Sequence, residues 1–116
     1  MPALQPDART EGGLVFVNRF TVKVPPEQFE RVFARTSEFM GRQPGFIRFT
    51  LLRNAEDPGS YVNVAQWRDR ESFQKAVSHP DFQPHAAALR ELSTSEHGLY
   101  TPRLTFAAEA VATDGR

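Results

Sequence analysis

Alternating apolar and polar positions give way to a helical period and then return, and this succession predicts the elements of the chain. Leu14 to Val24 is rich in Val, Phe and Thr with no breaker, which predicts a strand. Pro25-Pro26 ends it and opens a helix, because proline is tolerated in a first turn where the amide N–H has no partner. Phe29, Val32, Phe33, Thr36, Phe39 and Met40 then recur three and four apart, one face of an amphipathic helix that Gln43-Pro44-Gly45 stops. Phe46 to Arg53 and Tyr61 to Trp67 predict a hairpin closed by the turn residues Glu56-Asp57-Pro58-Gly59. Asp69 caps a helix that carries Phe73, Ala76 and Val77 and breaks at His79-Pro80. A second short helix carries His85, Leu89 and Leu92, and Gly98 opens a last strand through Phe106. Residues 1–13 read as a flexible lead-in and 110–116 as a tail, which leaves one domain over 14–109.

The order strand, helix, strand, strand, helix, strand predicts an α+β fold of the ferredoxin-like, split βαβ kind, with helices on one face of an antiparallel sheet. The strand faces add a partner. Phe16, Asn18, Phe20 and Val22 share one side of the first strand, and Val15, Val17 and Thr21 share the other. On the third strand Tyr61, Asn63, Ala65 and Trp67 oppose Val62, Val64 and Gln66. Both faces are apolar, yet helices cover only one, so the pattern predicts a homodimer that covers the second.

Composition narrows the function. With 116 residues the chain holds one ordinary domain, and 14 Lys+Arg against 14 Asp+Glu lacks the basic excess that phosphate binding needs, so no nucleic-acid partner is expected. The absence of Cys excludes disulfides, thiolate metal sites and cysteine nucleophiles. No apolar run is long enough for a membrane span and no signal-peptide pattern opens the chain, so the expected location is cytoplasmic, with no membrane partner. Phe accounts for 10 residues, as expected of a Phe-rich core or of a cavity for a flat aromatic ligand.

The candidate chemistry lies on the strand faces. Asn18 and Asn63 stand among apolar neighbours on adjacent centre strands, where a buried amide must find hydrogen-bond partners. They are either structural pins or donors converging on a ligand oxygen. Trp67, four residues beyond Asn63, lies on the same face as Asn63 and Tyr61. Together with Phe16, Phe20 and Phe73 they could wall a pocket that stacks a polycyclic aromatic. His79, His85 and His97 form no metal-ligand spacing; His79 reads as a helix-end residue and His97 as a turn residue. His85 shares a face with Leu89 and Leu92 and is the candidate proton acceptor, and Arg90 could balance an anionic substrate. Gly-rich nucleotide loops, a nucleophile elbow and metal motifs are all absent.

Three blocks carry a resemblance: Phe16-Val17-Asn18-Arg19-Phe20, Gln43-Pro44-Gly45-Phe46 and Tyr61-Val62-Asn63-Val64-Ala65-Gln66-Trp67. From Val15 to about Thr105 the chain resembles the antibiotic biosynthesis monooxygenase superfamily of small dimeric α/β barrels. Within it, Asn-x-Ala-Gln-Trp with an upstream strand Asn is similar to the cofactor-independent anthrone monooxygenases of aromatic polyketide biosynthesis, closest to the anthracycline, nogalamycin-like members. The resemblance implies oxidation of an anthrone to a quinone through a substrate carbanion, with O2 as co-substrate and no cofactor or metal. It implies Asn18, Asn63 and Trp67 as the catalytic set, and Arg90 matches an active-site Arg of the actinorhodin-pathway relative. That relative's second-strand His is Leu52 here and its Tyr after the Trp is Phe73, which favours an asparagine-based mechanism. The haem-degrading branch is the competing reading: Asn18 and His85 fit it, but its helix Trp aligns with Ala76. A non-catalytic aromatic-binding dimer is the remaining alternative.

Overall fold

The computed structural model describes residues 13–108; the expected lead-in, Gly13 apart, and the expected tail lie outside the described residues. In chain order these residues form β1 (Leu14–Val22), α1 (Pro26–Met40), β2 (Phe46–Arg53), β3 (Ser60–Trp67), α2 (Arg70–Val77), α3 (Phe82–Leu92) and β4 (Ser93–Tyr100). The strands make one antiparallel sheet in the order β2-β3-β1-β4, so β1 and β3 are the centre strands of a ferredoxin-like α+β fold.

Local chemistry explains the elements. Pro26 stands in the first turn of α1, and Phe29, Phe33, Thr36 and Phe39 are its buried face. In the β2–β3 hairpin, Asn54 Oδ1 accepts from the amides of Glu56 (2.8 Å) and Asp57 (3.1 Å), and Asp57 Oδ1 accepts from Gly59 (3.0 Å). Asp69 caps α2 by accepting from the Ser72 amide at 2.8 Å, which holds its carboxyl below the usual range. Gly45 enters β2 at φ 84°, and a Cβ there would overlap the Ser72 side chain, so only glycine lets this turn close against α2.

All three helices among the described residues bury side chains against one face of the sheet, in two clusters. Leu14, Ala65, Trp67, Phe73 and Ala76 form one; Phe20, Phe29, Phe33, Tyr61 and Leu89 form the other. None of these helices is long and apolar enough to cross a membrane.

Two strand boundaries differ from the sequence pattern. β1 ends at Val22 rather than Val24, and β4 runs from Ser93 to Tyr100 rather than from Gly98 to Phe106. Ser93 adopts an extended conformation directly after α3, and its buried Oγ donates to the Leu89 carbonyl at 2.8 Å. Backbone pairing with β1 then holds Ser93–Tyr100, and no apolar alternation advertises a strand whose first five residues are polar. Beyond it, residues 101–108 form no regular element and leave Leu104 73% and Phe106 65% exposed. His97, expected in a turn, lies within β4.

Candidate active site

The strand registers align side chains in rows across the helix-covered face. Arg53, Tyr61, Phe20 and Ser95 form one row; Leu51, Asn63, Asn18 and His97 the next; Phe49, Ala65, Phe16 and Leu99 the third. Asn18 and Asn63 are therefore directly opposed partners on the two centre strands. Ala65 puts a single methyl on a strand face otherwise occupied by Tyr61, Asn63 and Trp67, and the volume it leaves is not refilled.

A cavity of about 100 Å³ lies there, between the sheet and the helices. Asn18, Asn63, Ala65, Phe16, Phe20 and Trp67 form its floor, and Phe46 and Phe49 of β2 continue it. Phe33, Thr36, Ser37 and Met40 of α1, Phe73 and Val77 of α2, and Phe82 and Leu89 of α3 complete the walls. Trp67 is 2% exposed, and its rings meet Phe46 and Phe73 edge-on with centroids 5.2 and 5.7 Å apart. Phe16 lies 5.0 Å from Phe73, and of the aromatic residues foreseen as a pocket wall Trp67, Phe16, Phe20 and Phe73 line this cavity.

The polar groups in this cavity are few and specific. The side-chain carbonyl oxygens of Asn18 and Asn63 are buried without a hydrogen-bond partner. Rotating either amide by half a turn exchanges oxygen for nitrogen, so each residue brings an unused polar group whichever way it is set. Thr36 donates its hydroxyl to the Val32 carbonyl (3.3 Å) and Ser37 to that of Phe33 (2.9 Å), leaving only oxygen lone pairs to the cavity. Among its lining residues, Asn18, Asn63 and Trp67 are those whose side chains carry N–H groups. An arrangement of this kind can hold a flat apolar molecule and hydrogen-bond one oxygen on it.

Of the residues singled out from sequence, Asn18, Asn63, Trp67, Phe16, Phe20 and Phe73 line this cavity; Tyr61, His85 and Arg90 do not. Tyr61 belongs to the neighbouring row, and its hydroxyl donates to Glu30 Oε2 at 2.6 Å. Burial, followed by that bond, raises the phenol above its usual range, with Arg53 pulling the other way. It lines a separate groove of about 500 Å³ with Glu30, Glu38 and Arg53, walled off by Phe33, Ser37 and Phe49. The His85 ring packs 5.6 Å from that of Phe39, and Arg90 is exposed on α3. Leu52 lies on the opposite face of the sheet, 51% exposed. Sequence reasoning missed Ala65 and Ser37. The only signal for Ala65 was a small residue within an otherwise large-residue strand face. Among the described residues, no group of three or more His, Cys, Asp or Glu could hold a metal.

Known proteins share this architecture. Residues 15–88 match the sequence model of the antibiotic biosynthesis monooxygenase family. The chain is 54% identical over 105 residues to the deoxynogalonate monooxygenase of Streptomyces nogalater, covering 90% of this chain and 89% of that one. It superposes on SnoaB, a cofactor-independent oxygenase from Streptomyces nogalater, with TM-score 0.80 and 57% identity over 81% of this chain and 96% of that one. A weaker likeness, 32% identity over 59 residues, links 51% of the chain to 56% of the mycobilin-producing heme oxygenase of Mycobacterium tuberculosis. The match over residues 15–88 and the 54% identity over 90% of the chain carry the conclusion, and the chain belongs to the antibiotic biosynthesis monooxygenase family.

Proposed function

We propose that this protein is a cofactor-independent monooxygenase that converts a polycyclic anthrone to the quinone with O2 in aromatic polyketide antibiotic biosynthesis. The observation that carries the reading is the directly opposed pair Asn18 and Asn63, unpartnered on the floor of an aromatic-walled cavity beside Trp67. The 54% identity to a deoxynogalonate monooxygenase supports the substrate class.

The chemistry follows from the substrate. An anthrone carries a CH2 between two aromatic rings, and its deprotonation gives a carbanion delocalised onto the carbonyl oxygen. Such a carbanion passes one electron to O2, recombines as a hydroperoxide and loses water to give the quinone. The substrate supplies the reducing power. The protein's task is to stabilise the developing enolate oxygen, for which the two amides are fixed in advance; one such donor is typically worth about 3 kcal/mol. Trp67, Phe16 and Phe73 hold the ring system flat and away from water. At about 100 Å³ the cavity is smaller than the roughly 300 Å³ at which ligand pockets begin, so a tricyclic substrate must displace part of the wall. Phe33 and Phe49, 5.7 Å apart between the cavity and the outer groove, are placed to do so.

The active form is read as a homodimer built on the uncovered sheet face. Val15, Val17, Val62 and Val64 are half-buried there, Tyr100 is 58% exposed, and Gln66 Oε1 is buried without a partner. Sedimentation at micromolar concentration tests this, and a monomer would refute it. The catalytic reading is tested by O2 uptake with a simple anthrone, in chelator-treated buffer with no flavin, nicotinamide or haem. Uptake well above the spontaneous rate, with quinone appearing in step, is expected. Binding of the anthrone without uptake would overturn it, leaving a carrier or, after haem titration, the haem-degrading alternative.

A further inference from the structure

We propose that His97 is the group that takes the substrate's proton, an assignment that rests on the oxygenase reading above. The row Leu51, Asn63, Asn18, His97 carries the polar floor across β1 to β4. Opposed residues on antiparallel strands hold their Cβ atoms about 4.5–5.5 Å apart, so the imidazole stands one side chain from the Asn18 amide. Its ring lies 5.6 Å from that of Phe16, which lines the cavity. β4 is an edge strand and His97 is exposed, so the ring has Phe16 of the cavity lining on one side and water on the other.

The cavity's own lining does not supply a base. Its polar side chains are amides, hydroxyls and an indole, none of which accepts a proton near neutrality. His79 and His85 lie against Phe39, 5.4 and 5.6 Å from its ring. Around His97, Arg19 and Glu96 pair with each other at 3.0 Å on the opposite face of the sheet. α3 carries His85, Arg90 and Glu91, and α2 carries Arg70 with Glu71 and Lys75, the last two paired at 3.4 Å. Among the described residues no carboxylate forms an ion pair with His97, so a proton it takes is free to pass on.

The step balances. With the carbonyl oxygen at the asparagine amides, the CH2 across the ring gives a proton to an imidazole nitrogen; the C–H bond breaks, and its electron pair spreads to the carbonyl oxygen. After O2 has added, the imidazolium returns that proton to the peroxide anion, giving the hydroperoxide. The same nitrogen then takes the remaining C–H proton while the C=O forms and the O–O bond breaks. That proton goes to the departing hydroxide, giving water and a neutral imidazole.

The test uses His97→Asn and His97→Gln in the full chain with 1,8-dihydroxyanthrone as the probe, measured across pH, with the unfolding midpoint of each variant recorded. Wild-type kcat/KM should fall on the acid side. Both variants should fall at least tenfold at neutral pH, lose that acid limb and recover with added imidazole, at an unchanged midpoint. Wild-type kcat/KM in either variant with the acid limb intact would overturn the assignment while leaving the oxygenase reading standing. So would a loss that imidazole does not restore and that leaves the pH profile unchanged in shape. No uptake by the wild-type protein would instead remove the oxygenase reading itself, and this assignment with it.

Discussion

Tyr61 and Asn63 stand two residues apart on one face of β3, both buried, and they meet opposite fates. The Tyr61 hydroxyl is paired with Glu30 at 2.6 Å, its ring lies 4.9 Å from Phe29, and it packs in one cluster with Phe20, Phe29, Phe33 and Leu89. The Asn63 amide oxygen has no partner, faces another unpartnered amide, and opens onto a cavity beside Ala65. A buried polar group with an internal partner contributes to the fold. One left unpaired costs free energy in the empty protein and recovers it only when something else supplies the hydrogen bond. The Tyr61 row is built for stability and the Asn63 row for a ligand.

Four substitutions break or sharpen that contrast. The largest effect is expected from Ala65→Leu, which fills the cavity from its floor. Displacing the substrate by an ångström or so should cost about a hundredfold in kcat/KM, while circular dichroism shows the same fold. Asn63→Ala should lower turnover at least tenfold, with the opposed Asn18 amide left to hold the enolate oxygen in part. Steady-state O2 uptake measures the first effect, and its unfolding midpoint should stay level or rise because an unpaired buried amide has gone.

Tyr61→Phe should do the reverse. Turnover should stay within about twofold, while chemical denaturation shows a loss of about 1 kcal/mol for one hydrogen bond. Its pH dependence has a definite sign. The phenol's pKa is raised in the folded protein, so its contribution is fully present below the unfolded value near 10 and is lost as pH rises through the folded one. The variant's stability should therefore fall less steeply in that alkaline range. The smallest effect belongs to Asp69→Ala, remote from both rows. Asp69 has a lowered pKa, so its contribution is present above the ordinary 3.8 and disappears as pH falls through the folded value. Midpoints recorded down that acid range should converge with wild type, with uptake unaffected.

Much of this was legible in the chain itself. The two-residue alternation of β1 and β3 and the helical spacing of Phe29, Phe33, Thr36 and Phe39 mark the core, and placing β1 beside β3 brings Asn18 and Asn63 together. The failures share a cause: pattern tells which face a side chain takes but not which row it joins. Tyr61 has the same face as Asn63, yet Glu30, distant in sequence on α1, captures its hydroxyl. His97 looked like a turn residue because Ser93–Glu96 has no apolar alternation, and only pairing with β1 makes that segment a strand. His85 does share a helical face with Leu89, but α1 interposes Phe39.

The most direct measurement is O2 uptake by wild type and Asn63→Ala side by side, with the unfolding midpoint taken on the same samples. If Asn63 is a donor held ready for the substrate, the variant's uptake falls at least tenfold and its midpoint is unchanged or higher. Equal uptake with a lowered midpoint would make Asn63 a structural pin like Tyr61, and would contradict the account.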